Sequence, residues 1–276
     1  MHSEWDAIAA APDAEIPLLR TALLIARDEY PDLDMQAYEA KFEAQARALT
    51  GRVNLAMPAV DRLAALNRYL FEELGYTGNQ RDYYDPRNSY LNDVLDRRLG
   101  IPISLAVIQI ELARRLDLPL QGVSFPGHFL VRLPVDGGLL VLDPYHRGRS
   151  IDADELRQRA QPHFGDRDIA DHQLLQMLSP ASHRAILIRM LRNLKGVYAE
   201  REVWDKALRC SDRLLRLDPA QAEEWRDRGL FYLRIGLGSA ARANLSRYLS
   251  LAPEAGDAAT VREALIEASS LGGRVH

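Results

Sequence analysis

The C-terminal third of the chain repeats itself every 34 residues, and this repeat restricts the fold more than any other feature of the sequence. The matching pairs are Tyr198 and Tyr232, Ala207 and Ala241, Leu215 and Leu249, Leu217 and Leu251, and Pro219 and Pro253. A period of this length is typical of paired helices that bury their apolar faces only by stacking on the next pair. We therefore predict an all-α region over 181–276, with repeats at about 188–221 and 222–255 and a capping helix at about 258–270.

The second repeat carries a recognisable pattern. It reads Trp225-x-x-x-Gly229-x-x-Tyr232 and continues with Ala241, Leu245 and Pro253. This pattern resembles the tetratricopeptide repeat, which needs a small residue where its helices cross and a proline where its second helix ends. The resemblance implies a concave surface that binds a segment of a protein or peptide partner.

The preceding part of the chain alternates between helical and strand patterns. Helices are predicted over 16–29, 36–49, 59–74, 91–99 and 103–116, and short strands over 120–125, 128–133 and 139–143. The helix from about Ile103 to Leu116 is apolar on nearly every side, which is typical of a buried central helix. We therefore expect an α+β domain over 1–180.

Asp136-Gly-Gly138 is a hairpin signal between the last two predicted strands. A turn centred between Val135 and Asp136 would place Asp143 opposite His128, and a turn centred on Gly137 would place it opposite Val131. Opposed side chains on antiparallel strands touch. Both registers therefore predict that the carboxylate of Asp143 lies near the imidazole of His128.

Three short runs hold residues of a catalytic type in a suggestive order. They are Gly100–Ala106, Phe125–Leu130 and Val141–Tyr145, and they contain Ser104, His128 and Asp143. A hydroxyl, an imidazole and a carboxylate in this order could act as nucleophile, base and orienting group. They are the candidate catalytic residues of the chain.

The chain as a whole resembles the bacterial SirB-like family, in which a transglutaminase-core-like domain precedes tetratricopeptide repeats. The resemblance rests on segments 22–33, 88–92, 98–105, 125–129 and 142–144 and on the repeats. It implies an α+β transglutaminase/papain-like core domain with an N-terminal helical part over 1–180. It also implies that Ser104 occupies the position of the catalytic cysteine, with His128 as general base and Asp143 as its orienting residue.

Serine at this position changes the chemistry. A thiol has a pKa of about 8.5 and is readily converted to a thiolate beside an imidazole, whereas a hydroxyl must lose its proton during attack. The only cysteine, Cys210, lies in the repeat region. A cysteine transglutaminase or protease is therefore excluded.

Each candidate residue also has a structural interpretation. Ser104 could cap a helix that starts near Pro102, and His128 and Asp143 could form a hydrogen bond without catalysis. Three further residues, Asn88, Tyr90 and Asn92, are candidates for lining the same cleft or for satisfying the backbone of their loop. His146 is a fourth cleft-lining candidate, although nothing in its spacing predicts a metal site.

Composition restricts the class of partner. With 35 basic and 39 acidic residues, the chain has a net charge of −4 and no nucleic-acid-binding signature. The longest apolar stretches are too short to span a bilayer, and the N-terminal residues do not resemble a secretory signal. We therefore expect a cytoplasmic protein that binds neither nucleic acid nor membrane and needs no metal or cofactor.

Two functions remain open from the sequence. The first is a protein-interaction or regulatory protein, in which the repeats hold a partner and the transglutaminase-like cleft lacks the nucleophilic cysteine. The alternative is a serine-dependent hydrolase of a peptide, amide or ester that uses Ser104, His128 and Asp143.

Overall fold

The structure, a computed structural model, describes residues 2–165 and 167–272. These residues belong to two units. One unit is Asp13–Met190, and the other combines Met1–Pro12 with Leu191–His276. The first is a mixed α+β unit and the second is all-helical, which confirms the predicted fold class.

Helix α1 (His2–Ala10) is grouped with the repeats and not with the α+β unit. The indole of Trp5 is fully buried, and the guanidinium of Arg213 lies 5.1 Å from the centre of its ring. Arg216 also donates a hydrogen bond of 2.7 Å to Asp6. The observed unit Asp13–Met190 thus begins and ends later than the predicted domain 1–180. The contacts of α1 with α10 leave no local pattern in the sequence, because about 200 residues separate the two helices.

In the described part of the α+β unit, seven α-helices precede the helix that contains the boundary between the units. They are α2 (Leu18–Arg27), α3 (Met35–Thr50), α4 (Ala59–Asn67), α5 (Leu91–Arg97), α6 (Pro102–Arg114), α7 (Ala153–Ala160) and α8 (Asp171–Met177). The helix predicted over 59–74 is interrupted, because Arg68–Glu73 forms a π-helical segment after α4. In this segment the amide of Leu74 reaches back to the carbonyl of Tyr69.

Two sheets complete this unit. Strands β1 (Thr77–Gly78) and β2 (Leu99–Gly100) form a short parallel pair. Strands β3 (Gln121–Val123), β4 (Leu130–Val135), β5 (Gly138–Asp143) and β6 (Arg149–Ile151) form an antiparallel sheet in that order.

The hairpin between β4 and β5 has a register that neither sequence alternative gave. Val135 pairs with Gly138 and Val131 pairs with Leu142. The turn is therefore the two residues Asp136 and Gly137, and Gly137 adopts a positive φ of 83° at the second turn position, which glycine accepts without steric cost. In this register Asp143 is opposite Leu130, and His128 lies before the first residue of β4.

Helix α6 is the buried centre of the α+β unit, as its sequence predicts. Every residue from Ile103 to Ala113 is buried. Pro102 is accepted at the start because its missing amide would have no helical partner there. The helix contacts β3 and β4 as well as α2 and α4.

A separate apolar cluster packs against the sheet. Its residues come from β3–β6, α7 and α8 and from the segments that adjoin them, and within the described ranges none of them lies in α6. Leu130 and Val141 belong to this cluster with Leu156 and Ala160 of α7. Because alternate residues of a strand share a face, Asp143 lies on the same face as Val141.

The repeat unit consists of stacked helices with the predicted period. Helix α9 (His183–Glu200), which contains the boundary between the units, is followed by α10 (Trp204–Leu217), α11 (Ala222–Arg234), α12 (Gly238–Leu251) and α13 (Ala258–Gly272). Helices α10 and α12 begin and end 34 residues apart. Their alanines at the repeat position, Ala207 and Ala241, are fully buried.

Gly229 sets the approach of α11 to α12. A Cβ atom at this position would lie 2.7 Å from the side chain of Leu245 and 3.1 Å from its backbone nitrogen. Since a backbone atom cannot rotate away, the two helices need glycine here to pack at their observed distance. No helix among the residues that the structure describes is long and apolar enough to cross a membrane.

We expect Gly229→Ala to destabilise the repeat unit by about 1–3 kcal/mol, because the extra methyl group overpacks the contact with Leu245. The matched control is Gly196→Ala in α9, where a Cβ atom meets nothing within 4 Å. It should gain about 0.5–1 kcal/mol from helix propensity. Chemical denaturation of the full chain measures both changes, and equal stability of the two variants would contradict the packing role of Gly229.

Candidate functional site

Ser104 is part of the hydrogen-bonded start of α6. Its side chain is fully buried, and its Oγ donates to the carbonyl of Asn88 at 2.6 Å. The same Oγ accepts from the amide of Ile101 at 3.1 Å. Ile101 precedes the first helical residue, so this contact satisfies an amide that has no partner within the helix.

Gly100 allows the hydroxyl to sit close to the backbone. A Cβ atom at Gly100 would lie 2.7 Å from the Oγ of Ser104. The Ile101 amide, the Asn88 carbonyl and Gly100 thus lie around the buried hydroxyl of Ser104. In this structure the hydroxyl is a helix-capping group.

Asp143 lies at the end of β5, and its carboxylate is the most heavily bonded group of the candidate site. Its Oδ2 accepts from Nη1 of Arg159 at 2.7 Å and lies 2.7 Å from Nδ1 of His146. Its Oδ1 accepts from the amides of Tyr145 and His146 at 2.9 and 3.3 Å. Burial raises the pKa of Asp143, but the hydrogen bonds from Arg159 and His146 outweigh it and hold the pKa below its ordinary value.

His146, and not His128, is the imidazole that this carboxylate binds. An ionised carboxylate only accepts hydrogen bonds, so Nδ1 of His146 carries the proton in the contact with Asp143. The Nε2 atom of a neutral imidazole in this tautomer is an acceptor. The side chain is 47% exposed, so the pair has the form of a carboxylate-oriented base open to solvent.

His128 lies between β3 and β4, in a turn closed by its own amide and the carbonyl of Phe125 at 3.0 Å. It is half-buried, and within the described residues no hydrogen bond joins it to Ser104 or Asp143. Burial lowers the pKa of His128, and the positive charge of Arg159 lowers it further, whereas Asp143 acts in the opposite sense. His128 therefore feels the charges of this cluster without a direct bond to its carboxylate.

The strand alternation explains why the side chain of Asp143 turns to α7. Asp143 shares a sheet face with Val141, which packs against Leu156 and Ala160 of α7. Arg159 lies in the same helix and reaches the carboxylate from there. Ser104 belongs to α6, which contributes no described residue to that cluster. Among the residues that the structure describes, no hydrogen bond joins any two of the three candidate catalytic residues.

Asn88 is a structural residue of the loop before α5. Its side chain is fully buried and donates to the carbonyls of Asp82 and Tyr83 at 2.7 and 3.1 Å. Its Oδ1 accepts from the side-chain amide of Asn79 at 3.0 Å. These contacts hold the carbonyl of Asn88 in place for the hydroxyl of Ser104.

The other two loop candidates are also buried. Tyr90 is 4% exposed and packs edge-to-face against Tyr30, with ring centres 5.7 Å apart. Asn92 is 6% exposed, and its Oδ1 has no hydrogen-bond partner.

Arg159 is the residue of this cluster that sequence reasoning missed. It lies 16 residues after Asp143 in another element, so no local spacing connects them. The sequence signal that could have indicated this cluster is the pair Asp143 and His146, which are three residues apart across a Pro-containing turn. That spacing brings a side chain back to the residue that caps the turn.

No metal centre accompanies the cluster. In residues 2–165 and 167–272, no three His, Cys, Asp or Glu side chains are arranged to hold a metal ion. Cys210 is buried in α10 of the repeat unit.

Comparison with protein families matches both parts of the chain. Residues 36–192 match the family model of the transglutaminase-like superfamily, and residues 194–266 match that of the tetratricopeptide repeat. The two matches together follow the predicted order of a transglutaminase-like domain and a repeat module.

Several curated proteins are similar over most of their length. A UPF0162 protein of Xylella fastidiosa is 55% identical over 266 residues, which cover 96% of this chain and 95% of that protein. A UPF0162 protein of Pseudomonas aeruginosa is 32% identical over 90% of this chain and 88% of its own length. Protein SirB1 of Salmonella typhimurium is 29% identical over 70% of this chain and 71% of its own length.

The depressed pKa of His128 predicts how stability depends on pH. Burial and Arg159 disfavour the imidazolium form in the folded state, so the folded pKa lies below the unfolded value of about 6.5. This residue's contribution to stability is complete above the unfolded pKa and is lost as the pH falls towards the folded pKa. We expect His128→Gln to lose less stability than wild type between about pH 7 and 5. Urea denaturation across this range measures the difference, and parallel curves would contradict it.

Proposed function

Since the chain belongs to the SirB-like family of the transglutaminase-like superfamily, we propose that it is a protein-interaction or regulatory protein whose transglutaminase-like cleft does not catalyse covalent chemistry. The repeat unit binds a segment of a partner protein. The α+β unit keeps the architecture of the superfamily without its nucleophilic thiol.

The observation that carries this proposal is the state of Ser104. A nucleophile must be within reach of a base and of substrate. The Ser104 hydroxyl is fully buried, donates to a backbone carbonyl and accepts from a backbone amide. Breaking these bonds would remove two buried hydrogen bonds of the hydroxyl, at a net cost of about 0.5–1.5 kcal/mol each, while the amide of Ile101 keeps its bond of 3.3 Å to the carbonyl of Asn88.

The integrity of the repeat unit is the second support. Helices α11 and α12 pack around the required glycine, and an extended set of ion pairs connects successive repeats. Lys195 of α9 bonds Glu224 and Asp227 of α11 at 2.5 and 2.7 Å. Arg226 of α11 bonds Asp257, just before α13, at 2.7 Å. Tetratricopeptide repeats commonly present such a rigid array to a protein partner.

The alternative is a serine-dependent hydrolase that uses Ser104, His128 and Asp143. The chain order of the three residues supports it. Against it stand the hydrogen bonds of Ser104 and the engagement of Asp143 by His146 and Arg159. This reaction would require Ser104 to leave the helix start and Asp143 to exchange its imidazole partner.

Exposed apolar side chains of the repeat unit offer a direct test of where a partner binds. We expect Ile266→Asp in α13, at a residue 72% exposed, to weaken capture of a specific partner about tenfold, because a charge replaces apolar contact area. Leu175→Asp is the matched control, since Leu175 is 59% exposed in the α+β unit. Quantitative affinity capture with the full chain, from extract of its own organism, compares the variants with wild type.

Three results would contradict the proposal. One is the absence of any specific partner for the wild-type chain. Another is loss of the partner with Leu175→Asp but not with any exposed substitution in the repeat unit, including Leu237→Asp. The third is labelling of wild type, but not of Ser104→Ala, by a fluorophosphonate probe, which would establish the hydrolase.

A further inference from the structure

A cavity of about 660 Å³ opens beside the turn that carries His146. One wall is β1 with the loop that follows it, and the other is the segment after Asp143. The lining includes Thr77, Gln80 and Arg81 from the first wall and Tyr145, His146 and Arg147 from the second. Of these residues, only His146 is among the candidates predicted from the sequence, as a cleft-lining position.

The charge of the lining has one sign. Arg81 and Arg147 carry guanidinium groups, His146 carries an imidazole, and no carboxylate lines the cavity. Among the residues that the structure describes, neither guanidinium lies within ion-pair distance of an acidic side chain. Other arginines of the same unit, such as Arg149 and Arg159, are paired with Glu155 at 2.5 and 2.8 Å. The cavity is therefore lined by two exposed guanidinium groups that have no acidic partner among the described residues.

The carboxylate of Asp143, which bonds His146 of the cavity lining, does not reverse this charge. Asp143 lies beneath His146, but Arg159 bonds its carboxylate at 2.7 Å and cancels its charge. Its oxygen atoms are already occupied by His146, Arg159 and two backbone amides. An anion in the cavity would therefore meet a neutral pair behind the imidazole and not a free negative charge.

The walls are held in fixed positions. The hydroxyl of Tyr145 donates to the carbonyl of Asn79 at 2.9 Å and so joins the two walls. Gly78 is required at this contact, because a Cβ atom there would lie 2.4 Å from the Tyr145 ring. A site that is already rigid loses little conformational entropy when it binds a ligand.

Arg147 is held in a conformation that non-glycine residues seldom adopt. Its φ is 57°, in the left-handed region. The next amide, of Gly148, donates to the carbonyl of Asp143 at 2.8 Å and closes this turn. This left-handed conformation ends the short helical turn Pro144–His146, as it commonly does after a helix, and it fixes where the backbone of Arg147 leaves the turn.

We infer that this cavity binds an oxyanion, a carboxylate or a phosphate group, of a small ligand. The guanidinium groups of Arg81 and Arg147 each supply charged donors suited to the oxygens of such a group. His146, oriented by Asp143, and the uncharged side chains of Thr77 and Gln80 complete the polar lining. This inference concerns neither Ser104 nor the repeats, so it goes beyond the proposed function and does not depend on it.

Calorimetric titration of the full chain tests the inference with two probes, inorganic phosphate and a triglutamate peptide. We expect saturable binding of at least one probe, and a loss of about tenfold in affinity for Arg81→Gln and for Arg147→Asn, because each removes a charged donor. Asparagine is chosen at 147 because it tolerates the left-handed conformation better than most residues. The control is Arg47→Gln, which removes one charge from an exposed arginine of α3 outside the cavity.

Binding of phosphate alone supports a phosphate-bearing ligand, and binding of the peptide alone supports a carboxylate-bearing one. The inference is overturned if neither probe saturates the wild-type chain at millimolar concentration. It is equally overturned if Arg81→Gln and Arg147→Asn bind as wild type does, or if Arg47→Gln weakens binding as much as they do. None of these outcomes depends on whether the repeat unit captures a partner.

Discussion

The buried carboxylate of Asp143 is the interaction on which the candidate site depends. It ends β5, caps the turn Pro144–His146, holds the ring of His146 and pairs with Arg159 of α7. A buried charge persists only when it is paired and hydrogen-bonded, so these contacts are needed together. Because the turn also forms one wall of the cavity, the carboxylate fixes the position of that wall.

A second buried polar group, the hydroxyl of Ser104, shows the same principle in a different role. The amide of Ile101 donates to the carbonyl of Asn88 at 3.3 Å, and the hydroxyl of Ser104 adds a hydrogen bond to each of these two groups at the start of α6. A thiol is a weak donor and a weak acceptor. Serine at this position therefore stabilises the start of α6 more than cysteine would. This gives serine a structural role in the transglutaminase-like unit.

Local patterns in the sequence were sufficient for most elements. The all-round apolarity of residues 103–113 predicted the buried helix α6, and the 34-residue period predicted the helix pairs from α9 to α12. The hairpin was predicted, but its register was not, because the run Asp136-Gly-Gly138 is compatible with turns of more than one length. The π-helical segment at Arg68–Glu73 left no pattern that differs from an α-helix.

The candidate site was harder to predict because it depends on contacts between distant elements. Asp143 and His146 were both candidates, but His128 was the predicted partner of Asp143 because pairing across the hairpin was expected. The turn that follows β5 instead brings His146 to the carboxylate. The contribution of Arg159 depends on the face of β5 that α7 covers. The cavity depends on the approach of Gly78 to Tyr145, which no spacing reveals.

The tautomers of His128 and His146, measured by nitrogen-15 NMR of the full chain near neutral pH, test the central claim most directly. The claim is that Asp143 holds the ring of His146. The structure predicts that the neutral ring of His146 carries its proton on Nδ1, where the carboxylate of Asp143 accepts it. The claim would be contradicted if His146 carried its proton on Nε2 while Nδ1 of His128 showed the hydrogen bond to a carboxylate.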